Sequence, residues 1–240
     1  MKRKRIFLAA GIACLAVCAS CLVWMLRPLL PDVISNMEKI QFPTSDSIDF
    51  SALRAENPDI YAWLYIPGTD ISHPVLQHEK EGEYYLSHNS AGDPSEDGAL
   101  FTQAAYNSRD FSDPATIIYG HRTDTNVMFG LLQQAYSDPE DFSQHEEIRI
   151  YQEGRTLVYS VFAATPYDDR HILYYYDFQN LREREAFLDT VYSVREPGAN
   201  FEEKNFPERG EQILILSTCL KGDESRRYLV LAKLTGQEGV

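Results

Sequence analysis

Cysteine is scarce in this chain, and most of it lies in one place. Of four cysteines in 240 residues, Cys14, Cys18 and Cys21 fall within the first 26, which leaves Cys219 alone in the rest. A disulfide-stapled scaffold is therefore excluded. Basic side chains are also few, 22 against 36 acidic ones, for a formal net charge of -14. Five of them, Lys2, Arg3, Lys4, Arg5 and Arg27, precede the first acid, Asp32, so beyond Arg27 17 bases face 36 acids, a balance of -19. So acidic a surface repels a phosphate backbone, and no nucleic-acid partner is expected. Internal repeats, low-complexity tracts and collagen-like periodicity are missing too. With 15 Tyr and 12 Phe against 13 Gly and 12 Pro, there is ample material for one globular core with appendages, while two full domains would be cramped.

Charge is absent altogether from Ile6 to Leu26, IFLAAGIACLAVCASCLVWML. A helix of that length, rising about 1.5 Å per residue, just spans the hydrocarbon core of a bilayer. The basic cluster before it outweighs the single Arg27 after it, which predicts a cytoplasmic tail at 1–5, a single-pass signal anchor at 6–26 and everything later outside the cell. The alternatives are a cleaved signal peptide, for which the apolar run is long and the site near Ala19 weak, and a lipoprotein, whose cysteine context is spoiled by the neighbours of Cys14, Cys18 and Cys21. Residues 27–47, with three prolines and no sustained periodicity, read as an extracellular stalk, and the domain proper begins near Ile48, giving a unit of 48–240.

In an oxidising compartment a solitary thiol is a liability unless its chemistry is used. Cys219 is thus a candidate nucleophile, with a buried, inert cysteine as the competing reading.

The remaining pattern is mostly of strands. A short helix is predicted over Ser51–Glu56, stopped by Asn57-Pro58; Ala62–Ile66 and Ile71–Leu76 flank Pro67-Gly68-Thr69-Asp70 as a hairpin. Ala99–Thr102, Ala115–Tyr119, Ile148–Tyr151 and Leu157–Ala164 read as further strands, the last two joined through Gln152–Arg155. Helices are expected around Asn126–Ala135 and over Leu181–Val194, where Phe187, Leu188, Val191 and Val194 keep the helical period. Gln212–Ser217 and Tyr228–Leu234 close the chain as apolar strands around a polar loop, Leu220–Arg226. Many short strands with modest helical insertions predict a mainly β, mainly antiparallel barrel or sandwich with helices at its rim.

Three segments place a reactive side chain where an apolar strand ends: Tyr119-Gly120-His121, Leu216-Ser217-Thr218-Cys219 and Arg226-Arg227-Tyr228. The thiolate is the reactive form of cysteine, and a thiol of ordinary pKa near 8.5 supplies little of it at neutral pH, so a nearby imidazole and guanidinium would favour it. His121 and Arg227 can supply these.

Together the segments resemble the sortases, membrane-anchored cysteine transpeptidases of the Gram-positive envelope. Leu216-Ser217-Thr218-Cys219 matches their Thr-Leu-x-Thr-Cys signature, with Ile215 where Thr is common. Asn57-Pro58-Asp59-Ile60, Trp63 through Thr69, Pro74-Val75-Leu76-Gln77, Tyr84-Tyr85-Leu86-Ser87-His88 and Tyr119-Gly120-His121-Arg122 are similar, in the same order, to class B sortases. The resemblance, covering about 48–235, implies a closed antiparallel β-barrel with an N-terminal helix and a helix before the last two strands. It implies Cys219 as the nucleophile, His121 as the acid–base residue, Arg227 as the oxyanion donor, and Leu216, Ser217 and Thr218 as residues shaping the substrate pocket. Arg226 is the less suited arginine because successive strand side chains alternate faces. His88 reads as structural, and His73, His78, His145 and His171 as surface residues without metal spacing; neither a metal nor another cofactor is expected. The implied partners are surface proteins bearing an Asn-Pro-x-Thr-like sorting signal and a peptidoglycan or lipid-linked wall-precursor amine. Three other readings stay open: a class B-like pilin polymerase with a lysine acceptor, a secreted cysteine peptidase, and a non-catalytic tethered β-domain.

Overall fold

The structure, a computed structural model, describes residues 47–123 and 127–239. The expected anchor at 6–26, and the expected stalk apart from Ser47, lie outside them. Among the described residues no helix is long and apolar enough to cross a membrane.

Helix α1 (Phe50–Glu56) starts at Asp49, whose carboxylate accepts the Ala52 N–H, and stops at Asn57, held extended ahead of Pro58. Strands β1 (Ile60–Tyr65) and β2 (Ser72–Leu76) form the expected hairpin. After β3 (Leu100–Phe101) and β4 (Ala115–Tyr119) come two short helices, α2 (Leu132–Ser137) and α3 (Pro139–Gln144). The sequence pattern predicts a single helix ending near Ala135. Instead α2 runs two residues further, and Pro139 holds Asp138 extended (φ -90, ψ 136), where its carboxylate caps α3 through the Glu140 N–H at 2.8 Å. The chain continues through β5 (Glu147–Gln152), β6 (Arg155–Tyr167), α4 (Ile172–Tyr175), α5 (Leu181–Tyr192), β7 (Asn200–Phe201), β8 (Ile213–Leu220) and β9 (Asp223–Gly239).

Eight strands in the order β5-β1-β2-β3-β4-β8-β9-β6 close into a barrel through the pairing of β6 with β5. The long β6 carries β9 along one edge, and β5 then β7 along the other. Pairings are antiparallel as expected, except that β2–β3 and β4–β8 are parallel. Parallel neighbours need a crossover, and the long connections Gln77–Ala99 and Gly120–Gln212 provide it.

Strand alternation divides the apolar residues into two layers. Leu214, Leu216, Tyr228 and Val230 share a buried cluster with Leu64, Val75, Leu100 and Ile118. Ile213, Ile215, Leu229 and Leu231, on the opposite face, pack instead with Phe187, Leu188 and Val191 of α5. That helix is started by Asn180, which accepts the Arg182 N–H, and its 3.6-residue apolar stripe is buried against the outside of the barrel.

Candidate active site

Strand β8 is the centre of the site, because its two neighbours each deliver one reactive side chain. On one edge β4 runs parallel to it, with Tyr119 opposite Ser217. Gly120 then donates its N–H to the Ser217 carbonyl at 3.1 Å, so the chain leaves the sheet beside β8 and sets His121 there. A side chain at Gly120 would not fit: a Cβ would sit 2.3 Å from Leu100 Cδ2 and 2.7 Å from Phe129 Cδ2, both in the core. On the other edge β9 pairs antiparallel with β8, and Cys219 faces Arg227 directly.

Alternation fixes which face these groups occupy. Ile213, Ile215, Ser217 and Cys219 project to the outer side of the barrel, as do Arg227, Leu229 and Leu231 on the partner strand. The sequence pattern ends the apolar strand at Ser217 and resumes it at Tyr228. In the fold the ladder continues, β8 to Leu220 and β9 from Asp223. Cys219 and Arg227 are therefore a cross-strand pair, at positions where backbone pairing outlasts the apolar pattern.

Cys219, His121 and Arg227 line one cleft of about 400 Å³, together with Ser217, Thr218 and Tyr119. Arg227 Nη1 lies 3.8 Å from Cys219 Sγ, and also donates to the carbonyls of Glu224 (3.1 Å) and Arg226 (3.2 Å). His121 Nε2 is 2.8 Å from the Leu86 carbonyl oxygen; it makes no hydrogen bond to the thiol. Arg226 is tied outside the cleft to Glu196, by two contacts of 2.8 Å.

Of the three residues expected to shape the pocket, Ser217 and Thr218 line it and Leu216 does not. Leu216 is fully buried in the barrel core, because it lies three residues before Cys219 and alternation turns it to the opposite face. His171 was expected at the surface, yet it lines the cleft, donating from Nε2 to Gln103 Oε1 at 2.7 Å and capping α4 by accepting the Tyr174 N–H on Nδ1. Nor is His73 a free surface group, since burial pulls its pKa below the ordinary range. Among the described residues no group of three or more His, Cys, Asp or Glu is placed to hold a metal.

Tyr119 OH, in the cleft wall, is buried without a hydrogen-bond partner, as is Thr218 Oγ1, which alternation turns to the same inner face as Leu216. Burial, reinforced by Tyr106 and opposed by Arg227, pushes the Tyr119 phenol above its usual range, so it stays a neutral donor. Such groups are costly unless a ligand supplies their partner. Tyr119 was visible in the Tyr-Gly-His motif; Gln103 and His171 carried no sequence signal, because their meeting depends on loops 68 residues apart.

In chemical terms the cleft combines a thiol, an imidazole and a guanidinium on rigid strand ends, a set suited to acyl transfer. Residues 64–235 match the sortase domain model. Sortase B of Listeria monocytogenes is 31% identical over 184 residues, 76% of this chain and 72% of its own length. A solved sortase B from Bacillus anthracis, 28% identical, superposes with a TM-score of 0.64 over 78% of this chain and 83% of that one. A class B sortase of Streptococcus pyogenes involved in pilus biogenesis, 25% identical, gives a TM-score of 0.66 over 78% of this chain and 98% of that one. By the extent of the domain match and the similarity of these enzymes, the chain belongs to the sortase family of cysteine transpeptidases, on its class B side.

Proposed function

We propose that this enzyme is a membrane-anchored class B sortase that cleaves a C-terminal sorting signal after threonine through a thioester on Cys219, and transfers the protein to an amine of the cell wall. The carrying observation is the register of the last hairpin, which sets the Arg227 guanidinium 3.8 Å from the Cys219 sulfur on one face.

The steps follow from the groups present. The Cys219 thiol gives its proton to His121, and the thiolate attacks the threonine carbonyl carbon, whose π electrons move onto oxygen. Arg227 donates to that oxyanion with a planar fork that lysine lacks. As the C–N bond breaks, His121 gives its proton to the departing amine, leaving the thioester. The acceptor amine then attacks, His121 takes its proton, and sulfur departs. Ser217 and Thr218 shape the pocket for the threonine side.

The substrates in this reading are surface proteins with an Asn-Pro-x-Thr-type signal. Proline fixes φ and keeps such a peptide partly extended before binding, so less conformational entropy is lost. The acceptor is a peptidoglycan or lipid-linked precursor amine. Residues 6–26 anchor the chain, with 1–5 cytoplasmic, 27–47 as the stalk and the catalytic domain outside the cell. Incubating the protein with an Asn-Pro-x-Thr peptide, with and without an added amine, tests this by mass spectrometry. The amine-linked product is expected; hydrolysis alone at every amine concentration would favour a peptidase.

The likeness to the Streptococcus pyogenes pilus enzyme supports one variation, in which a pilin lysine is the acceptor. Competing a lysine-bearing pilin segment against a wall-type amine distinguishes the two.

A further inference from the structure

We propose that the main-chain carbonyl of Leu86 positions the His121 ring as its Nε2–H tautomer, so that Nδ1 is the nitrogen that gives and takes the proton during acyl transfer. The inference rests on the acid–base role of His121 above.

A carbonyl oxygen has no hydrogen to give, so the 2.8 Å contact between His121 Nε2 and Leu86 O requires the hydrogen on Nε2. His121 Nδ1 makes no hydrogen bond with any described residue. It is the ring nitrogen left for substrate.

The carbonyl is itself held on both sides. The Tyr85 oxygen before it accepts the Ala99 N–H, and the Ser87 oxygen after it accepts the Ser95 N–H, each at 2.9 Å. Between them the Leu86 oxygen is the acceptor for His121 Nε2. The turn that carries it is pinned by ring stacking: Tyr84 lies between His78, at 4.5 Å and 17°, and His88, at 3.9 Å and 7°. His88 also donates from Nδ1 to the Tyr84 carbonyl at 2.9 Å. The Leu86 side chain is 37% exposed, so its packing does not account for this scaffolding.

Gly98 completes the cradle. Its φ is +62, and a Cβ there would lie 2.4 Å from Tyr85 O, 3.2 Å from Leu86 O and 3.1 Å from His121 Cδ2. Any side chain at this position strains the backbone and displaces the carbonyl, the ring or both.

The chemistry is consistent with one nitrogen acting throughout. As the Cys219 thiol ionises, its proton goes to Nδ1; that proton passes to the leaving nitrogen as the C–N bond breaks, and the acceptor amine returns one to Nδ1 as the C–S bond breaks and the thiolate departs, which restores the starting pair. The Nε2–H to carbonyl bond persists through both steps. A neutral main-chain group thus does the orienting that a carboxylate does in other nucleophile–base pairs.

The test uses the full chain labelled with ¹⁵N-histidine, as wild type and as Cys219→Ala, with long-range ¹H–¹⁵N spectra recorded above the ring's titration. His121→Asn identifies the His121 signals. Protonated Nε2 with unprotonated Nδ1 is expected; the opposite tautomer or an even mixture overturns the proposal. Leu86→Ala, which keeps the carbonyl, should keep the tautomer. Gly98→Ala should lose it, with kcat on a sorting peptide falling about tenfold to a hundredfold, part of the contribution of acid–base catalysis, and KM staying within about twofold. A folded Gly98→Ala protein with unchanged tautomer and kcat would overturn it. If that variant does not fold, the wild-type and Leu86→Ala spectra still decide. The spectra require no turnover, so an inactive wild type with the expected tautomer would sink the sortase reading and leave the positioning intact.

Discussion

Replacing Arg227 with alanine tests whether the guanidinium acts on the transition state. In the resting site only Nη1 is engaged, by the Glu224 and Arg226 carbonyls and by the Cys219 sulfur. The N–H groups of Nη2 and Nε make no hydrogen bond with a described residue, so they remain for a substrate oxygen. An oxyanion donor binds most strongly once negative charge has developed, and losing one costs about 2.7–4 kcal/mol, roughly a hundred- to thousandfold in turnover. Arg227→Ala should therefore lower kcat by about that factor and leave KM nearly unchanged. Arg227→Lys keeps the charge but loses the fork, and should recover only part of the activity. Steady-state kinetics with a fluorescence-quenched sorting peptide provide the assay. A raised KM with unchanged kcat would refute the reasoning and make Arg227 a substrate clamp.

Other outcomes are expected at separate points of the fold. Arg226→Ala removes an exposed, solvent-screened pair with Glu196 and should leave kcat within about twofold; a larger loss than that of Arg227→Ala would show the hairpin register to be off by one. Gly120→Ala drives a methyl group to 2.3 Å from Leu100 Cδ2 and should cost about 1–3 kcal/mol by overpacking, read as a lower urea midpoint; an unchanged midpoint would mean that the core yields there. Hydrogen bonds from Ser112 and Ser108 hold the Asp110 carboxyl at about 2, below its unfolded value of about 3.9. Its stabilisation is then present above about pH 4 and lost as pH falls toward 2, so the stability gap between wild type and Asp110→Asn should close over that window; a gap independent of pH would contradict the assignment. The Ile6–Leu26 segment should stay attached in the membrane fraction, which recovery of a soluble chain starting beyond Ala19 would contradict.

What the sequence made legible depended on how local the cause was. Ala115–Tyr119 is rich in strand-favouring residues and bounded by Pro114 and Gly120, and it forms β4 over those same five residues. The Gln152–Arg155 turn and the α5 stripe were equally local. The ends of β8 and β9 were not, since Thr218 through Arg227 carry no apolar alternation and are held in strand by cross-strand pairing. The two parallel pairings were hidden for a related reason: each residue of β4 pairs with one of β8 that lies 98 positions further along the chain, as Ala115 does with Ile213. At the site, the motifs identified Cys219, His121 and Arg227 as one reactive set, but not which strand pairings bring them together. Leu216 was drawn into the pocket by proximity in the motif, against the alternation that had already set Arg226 apart from Arg227. The Leu86 carbonyl was beyond reach, because a main-chain acceptor leaves no residue-type signal.

The central claim is that Cys219 forms an acyl-enzyme, and trapping that species tests it most directly. The full chain is mixed with excess Asn-Pro-x-Thr peptide, without amine, quenched in acid and examined by intact-mass and peptide-mass analysis. An adduct with the mass of the peptide up to its threonine acyl group is expected on the peptide containing Cys219, sensitive to hydroxylamine as a thioester is, and absent from Cys219→Ala. Cleavage of the sorting peptide by Cys219→Ala, or an adduct on any other residue, would contradict it.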